Sequence, residues 1–169
     1  AQLDRFLMYI KIDQPDADTE RKILKLVRTE QRETKEQDPA WQEFSKTVGK
    51  IAVEDILTAR REVLSMHVSE SLEEYLVQLI VATRKPEKYD ASLRDKILFG
   101  ASPRATIALD KCAKINAWLD GRDFVTPEDI HAVIYDVLRH RIILSFEAQA
   151  DGLTTDDIIA SLLKTVPLP

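Results

Sequence analysis

Phe99-Gly100-Ala101-Ser102-Pro103-Arg104-Ala105 closes a polar segment and launches the most evenly apolar helical pattern in the chain. Ser102 is a good N-cap, and Pro103 suits the first helical position, where no backbone donor is needed. Arg104 then falls in the first turn, beside unpaired N–H groups and the positive end of the helix dipole. A cation there is disfavoured by about 0.3–1 kcal/mol at an exposed site. Two readings stay open at this point. Arg104 is a solvated arginine, or it joins the free N–H groups in meeting an anion, as phosphates do at helix starts.

The helix that begins there runs to Leu119, with Ala105, Ala108, Leu109, Cys112, Ala113, Asn116 and Leu119 on one face. Its small residues let neighbouring helices approach closely. Upstream, Ser69 caps a core helix in which Leu72, Tyr75, Leu76, Leu79, Ile80 and Thr83 recur at three and four, stopped by Lys85-Pro86-Glu87. Before it, Val53, Ile56, Leu57, Arg60 and Leu64 mark a further helix, and Tyr89 to Leu98 reads as irregular. Downstream, Gly121 suits a left-handed cap position, and Thr126-Pro127-Glu128-Asp129 is a complete helix-start box. Ile130, Val133, Ile134, Val137 and Leu138 carry that helix to Arg139-His140-Arg141, cations that suit its C-terminal end. Thr154 opens a last helix with Ile158, Ile159, Leu162 and Leu163, closed by Pro167 and Pro169. Met66-His67-Val68 and Phe124-Val125, each β-prone and each just before a capped helix, are expected to touch as a small β-bridge. The fold expected is all-α, a bundle of about six helices.

The N-terminal part reads differently. Met8, Ile10 and Ile12 alternate in Leu7–Ile12, the one substantial strand signal, and its sheet partners are expected in sequence outside the chain. Asp16 can cap a helix bearing Ile23, Leu24, Leu26 and Val27. Residues 28–39 are polar and mixed in charge, and Trp41, Phe44 and Val48 suggest a loosely docked helix after Pro39.

At 169 residues the chain fits one domain, and 44% hydrophobic with 31% charged residues is a globular composition. A net charge of −5 argues against nucleic acid or a membrane surface as the main partner. No apolar run reaches the length of a membrane span, and a cytoplasmic location is expected. Cys112 stands alone among small residues and reads as core. His67, His131 and His140 lack the spacing of a helical metal pair, so no metal site is expected; His131 reads as a surface residue and His140 as a partner of the helix dipole. The glycines stand singly, with no phosphate-binding loop signature, and no serine or cysteine has a base-and-orienter context.

Several motifs in order resemble one family. Ala1-Gln2-Leu3-Asp4-Arg5-Phe6, the strand, Gly100-Ala101-Ser102-Pro103-Arg104-Ala105, Asp120-Gly121-Arg122-Asp123-Phe124-Val125-Thr126-Pro127-Glu128-Asp129-Ile130, Val137-Leu138-Arg139-His140-Arg141-Ile142 and Val166-Pro167-Leu168-Pro169 resemble the MoxR family of AAA+ ATPases. The resemblance covers about residues 1–13 and 53–169 and is weak across 31–50. It implies that residues 1–15 end an αβα nucleotide-binding core and that 16–169 form the helical AAA+ lid.

The same resemblance makes Arg5 an arginine finger acting on a neighbouring subunit's ATP. It makes Arg104 the sensor-2 arginine, with Ser102 and Pro103 beside it at the nucleotide. Whether Arg104 would serve its own subunit's nucleotide or the neighbour's stays open. ATP with Mg, a homo-oligomer expected to be a hexamer, and a von Willebrand factor A-domain partner are implied for the full-length protein. The core that would carry the phosphate-binding lysine is absent from this sequence, so the chain alone should not hydrolyse ATP. The rival readings are a free-standing helical adaptor with no nucleotide role and, more remotely, a DNA-associated helical domain.

Overall fold

The computed structural model describes residues 2–30 and 51–169. The chain divides into two compact units, Lys11–Ala59 and the combination of Ala1–Ile10 with Arg60–Pro169. The expected helix around Trp41, Phe44 and Val48 lies outside the described residues.

In the first unit Asp16 caps α1 (Ala17–Glu30) by accepting from the Thr19 N–H at 2.8 Å. The first turns of α2 (Val53–Leu64) also lie in this unit, where Asp55 accepts from the Ala52 N–H at 3.2 Å. The apolar residues expected to mark a buried face are exposed here, Ile23, Leu26 and Val27 on α1 and Val53, Ile56 and Leu57 on α2. The periodicity gave the helices, but the faces it marks are not buried among the described residues. Burial depends on what packs against those faces.

The second unit holds the core. It is built from α3 (Glu70–Arg84), α4 (Pro103–Leu119), α5 (Pro127–Leu138), the short α6 (Phe146–Ala150) and α7 (Thr155–Thr165). With α1 and α2 these make seven α-helices among the described residues. Leu79, Ile80, Leu109, Ile130, Ile134, Leu138, Ile158, Ile159 and Leu162 are fully buried at its centre. The small stripe of α4 does what its composition predicts. Ala105, Ala108, Cys112, Ala113 and Ala117 are buried, and α5 packs along them. Burial pushes the Cys112 thiol above its usual value, so it behaves as core. Leu119, grouped with that face in the sequence, is instead exposed where the helix ends.

The small bridge forms as expected. His67 pairs with Phe124 in parallel, with Val125 N–H donating to His67 O at 3.1 Å. A second small sheet joins β1 (Ile97–Phe99) to β2 (Ile143–Leu144) in antiparallel register. Its first strand falls in the stretch read as irregular, because three residues are too few to show alternation.

The N-terminal segment differs from expectation. Leu3–Arg5 is a 3₁₀ turn, the chain bends at Phe6 and Leu7, and residues 8–12 belong to no strand among the described residues. Tyr9 N–H donates to Asp136 O at 2.8 Å, and Arg139 Nη1 donates to Tyr9 O at 3.1 Å. The backbone of Tyr9 is therefore satisfied by the C-terminal end of α5, where helix carbonyls lack intrahelical partners. Within the described residues, a helix end has taken the place of a neighbouring strand.

Gly100 fixes how α4 is launched. A Cβ there would stand 2.3 Å from Thr83 O and 2.6 Å from Thr83 C, both backbone atoms. The adjoining Ala101 donates its N–H to Thr83 Oγ1 at 2.9 Å, and its carbonyl accepts from Arg84 Nε at 2.7 Å. The end of α3 thus grips the residues that precede Ser102. Gly100→Ala is expected to cost about 1–3 kcal/mol, the usual range for forcing atoms into a packed site. Denaturant unfolding measures this, and an unchanged midpoint would refute the close approach.

The helix-start box of α5 is also present and is more deeply built than its sequence suggests. Asp129 is 1% exposed. It accepts from the Thr126 N–H at 2.8 Å, from Asn116 Nδ2 at 2.8 Å and from both terminal nitrogens of Arg122 at 2.6 and 2.7 Å. Burial alone would raise this carboxyl, but the bonds from Arg122, Asn116 and Thr126 outweigh it and hold it well below the carboxylate range. A depressed folded value means stability that is present above the unfolded pKa, about 3.9, and is lost as pH falls through the folded one. Arg122→Met is therefore expected to move acid unfolding to higher pH. Circular dichroism during acid titration reads this directly, and an unmoved midpoint would contradict it.

Candidate functional site

Ser102 caps α4 through its hydroxyl oxygen, which accepts from the Arg104 N–H at 3.2 Å. Pro103 occupies the first helical position. Arg104 follows in the first turn with its side chain 58% exposed, so the cap and the proline stand where the sequence places them and both readings of Arg104 stay open.

The structure places Arg5 beside it. Arg5, Arg104, Lys111 and Arg141 line one shallow pocket of about 180 Å³, together with Asp4 and the apolar Leu7, Ile107 and Ala108. Lys111 lies two turns beyond Arg104, on the same side of α4. Among the described residues Arg5 is exposed, and its side chain has no hydrogen-bonded or ion-paired partner. Four cations thus face one carboxylate.

That carboxylate organises the pocket. Asp4 accepts from the Ser102 hydroxyl at 2.8 and 3.1 Å and from Arg141 Nε at 3.2 Å, and it pairs more loosely with Arg104 at 3.6 Å. Ser102, expected at the nucleotide, has its hydroxyl committed to Asp4 and the helix start.

Arg141 is the residue the sequence reading missed. Its side chain is 2% exposed. Besides Asp4 it donates to the carbonyls of Asp4 at 3.3 Å, Phe6 at 2.6 Å and Leu7 at 3.2 Å, and to Val137 O. Burial pulls its guanidinium below the usual value, with Asp4 acting the other way. A signal was available. Arg141 continues the stripe of Ile130, Val133, Ile134, Val137 and Leu138 at the next three- and four-residue step, so a cation stands where a core residue belongs. His140 beside it meets Phe6 O with Nε2 at 3.1 Å, and burial lowers its pKa. His131 is half-buried rather than on the surface, because its Nε2 bonds the Tyr75 hydroxyl at 2.7 Å across to α3.

Among the described residues no group of three His, Cys, Asp or Glu could hold a metal ion. What this pocket can do is bind an anion. Its exposed cations come from the 3₁₀ turn and from α4, whose first-turn N–H groups on Arg104 and Ala105 are already taken by Ser102, so the side-chain charge and the helix dipole are what favour an anion.

Comparison with known proteins bears on the family of the chain. The AAA lid domain family matches residues 91–162, a span that includes Arg104, Lys111 and Arg141. Chaperone MoxR1 of Mycobacterium tuberculosis is 34% identical over the whole chain, and Protein MoxR of Methylorubrum extorquens is 33% identical. The chain belongs to the MoxR family of AAA+ ATPases. It spans about half the length of these curated relatives, 42% of the first and 50% of the second. A crystal structure assigned as an ATPase from Cytophaga hutchinsonii superposes with a TM-score of 0.83 at 38% identity, covering 99% of this chain and 48% of that one. The mostly helical fold with its small sheet is the AAA+ lid. No helix is long and apolar enough to cross a membrane among the described residues.

Proposed function

We propose that this MoxR-family chain supplies two arginines, Arg5 as finger and Arg104 as sensor 2, to the terminal phosphates of one ATP at a subunit boundary. The observation that carries this is the shared pocket, which both arginines line together with Lys111. The Arg5 side chain has no partner among the described residues, and that of Arg104 has only a loose one, so both are available to an incoming anion. Charge-assisted bonds from guanidinium to phosphate are the strong kind, and the pocket carries more positive charge than Asp4 neutralises.

In this reading residues 1–15 end the nucleotide-binding core and residues 16–169 form the lid, whose angle follows the phosphate through Arg104. ATP with Mg brings the phosphoryl group and the charge to be neutralised; this chain's residues position and stabilise it. Because a finger needs a facing subunit, the full-length protein acts as a homo-oligomer, a hexamer in keeping with other AAA+ machines. A von Willebrand factor A-domain partner belongs to the same proposal.

Arg104→Ala in the full-length ATPase is expected to weaken ATP binding about 10-fold or more, the scale of one lost hydrogen-bonded charge contact. It should lower turnover as well. Titration with a fluorescent nucleotide and steady-state hydrolysis measure the two effects. Unchanged binding and turnover would return Arg104 to a solvated arginine.

A further inference from the structure

Asp4 precedes the finger and touches the helix that carries the sensor. Its carboxylate, 21% exposed, is joined to Ser102 Oγ, to Arg141 Nε and to Arg104 Nη1. Ser102 is the cap of α4, so this bond runs from the turn Leu3–Arg5 to the first turn of that helix. The carboxylate also lies at the positive end of the α4 dipole, where it is stabilised. Arg141, nearly inaccessible, holds the other side of the turn by its carbonyls and cannot follow an anion out of the site. Arg104, mostly exposed and 3.6 Å away, can. We infer that Asp4 is a positioning residue that fixes the distance between Arg5 and Arg104 through the Ser102 hydroxyl, so that both reach one phosphate.

This inference rests on the proposed phosphate role of the two arginines. It assigns Asp4 no contact with the nucleotide. The Asp4–Ser102 bond ties the finger-bearing turn to the sensor-bearing helix by side chains, and Arg141 backs the turn from behind. If the tie is cut, each arginine keeps its charge but loses its placement. Misplacement of about 1 Å can cost on the order of 10²-fold in rate.

The test is steady-state hydrolysis and nucleotide titration on the full-length ATPase carrying Asp4→Asn, Ser102→Ala, Ser102→Thr or both Asp4→Asn and Ser102→Ala. The expected result is a kcat about 10–100-fold lower for each single variant, with the KM for ATP within about 3-fold of wild type. Ser102→Thr, which keeps the hydroxyl, should recover most of the rate. The double variant should be no slower than Ser102→Ala alone, because the tie that Asp4→Asn weakens by removing its charge is already cut there. A merely structural role would lower stability and raise KM with kcat, and its effects would multiply in the double variant. Ser102→Ala leaves Arg141 its carboxylate but removes the α4 cap together with the tie, and the double variant separates the two, because a loss through the cap would multiply with that of Asp4→Asn. Wild-type kcat in Ser102→Ala, measured beside impaired Arg5→Ala and Arg104→Ala, would overturn the Asp4 inference alone. Wild-type kcat in Arg5→Ala and Arg104→Ala would overturn the phosphate reading and this inference with it.

Discussion

Replacing Arg5 by alanine in the full-length ATPase is expected to lower turnover by about 10³-fold or more while nucleotide affinity stays near wild type. The magnitude is that of an arginine finger, which stabilises charge developing on the transferred phosphoryl group and contributes least before the reaction begins. The proposed finger role of Arg5 draws on its position. It ends a 3₁₀ turn, is exposed, and shares a pocket with Arg104 and Lys111. Loss of kcat with little change in affinity marks an interaction made chiefly in the transition state. Hydrolysis at wild-type rate by Arg5→Ala would remove the finger assignment.

The second large effect is on stability. Arg141→Met is expected to destabilise the chain by about 3 kcal/mol or more, the scale of breaking a buried ion pair from one side. Methionine fills comparable space but donates nothing. Asp4 would lose one partner, and the carbonyls of Asp4, Phe6, Leu7 and Val137 would lose a donor they now share. Native stabilities run about 5–15 kcal/mol, so this is a large share of the total. Arg141→Lys keeps the charge but lacks the planar fork that spans several acceptors, and should fall between methionine and wild type. Urea unfolding gives the numbers, and amide exchange at Tyr9, whose N–H is held by Asp136 O, should quicken in the methionine variant. Wild-type stability with slow Tyr9 exchange would show that Arg141 does not hold the N-terminal segment.

The helices were legible because their signals are local. Ser69, Ser102, Thr126 and Thr154 each stand at the cap position their sequences predict, and the apolar spacing of α3, α5 and α7 faces the core. Arg104 was legible for the same reason, as a cation where the helix dipole disfavours one. The rest depends on distance in the chain. The contacts between Asp4 and Ser102 or Arg141 join residues 98 and 137 positions apart, and no spacing rule reports them. Leu7–Ile12 has a strand's alternation, yet alternation says nothing about which partner will satisfy its backbone, and here a helix end does so for Tyr9. His131 looked solvated beside acidic neighbours because its partner, Tyr75, belongs to another helix.

That Arg5 and Arg104 serve one phosphate is the claim most open to direct test, by mixing subunits of the full-length ATPase. Arg5→Ala subunits mixed with subunits lacking the phosphate-binding lysine of the core should recover hydrolysis, since an intact composite site forms wherever the second kind lends its finger to the first. Arg5→Ala mixed with Arg104→Ala should recover none. Each such subunit presents one damaged pocket to the nucleotide it faces, whichever arginine is missing. Hydrolysis by this second mixture well above the mean of its two components would mean that the arginines act on different nucleotides, and would contradict the shared site.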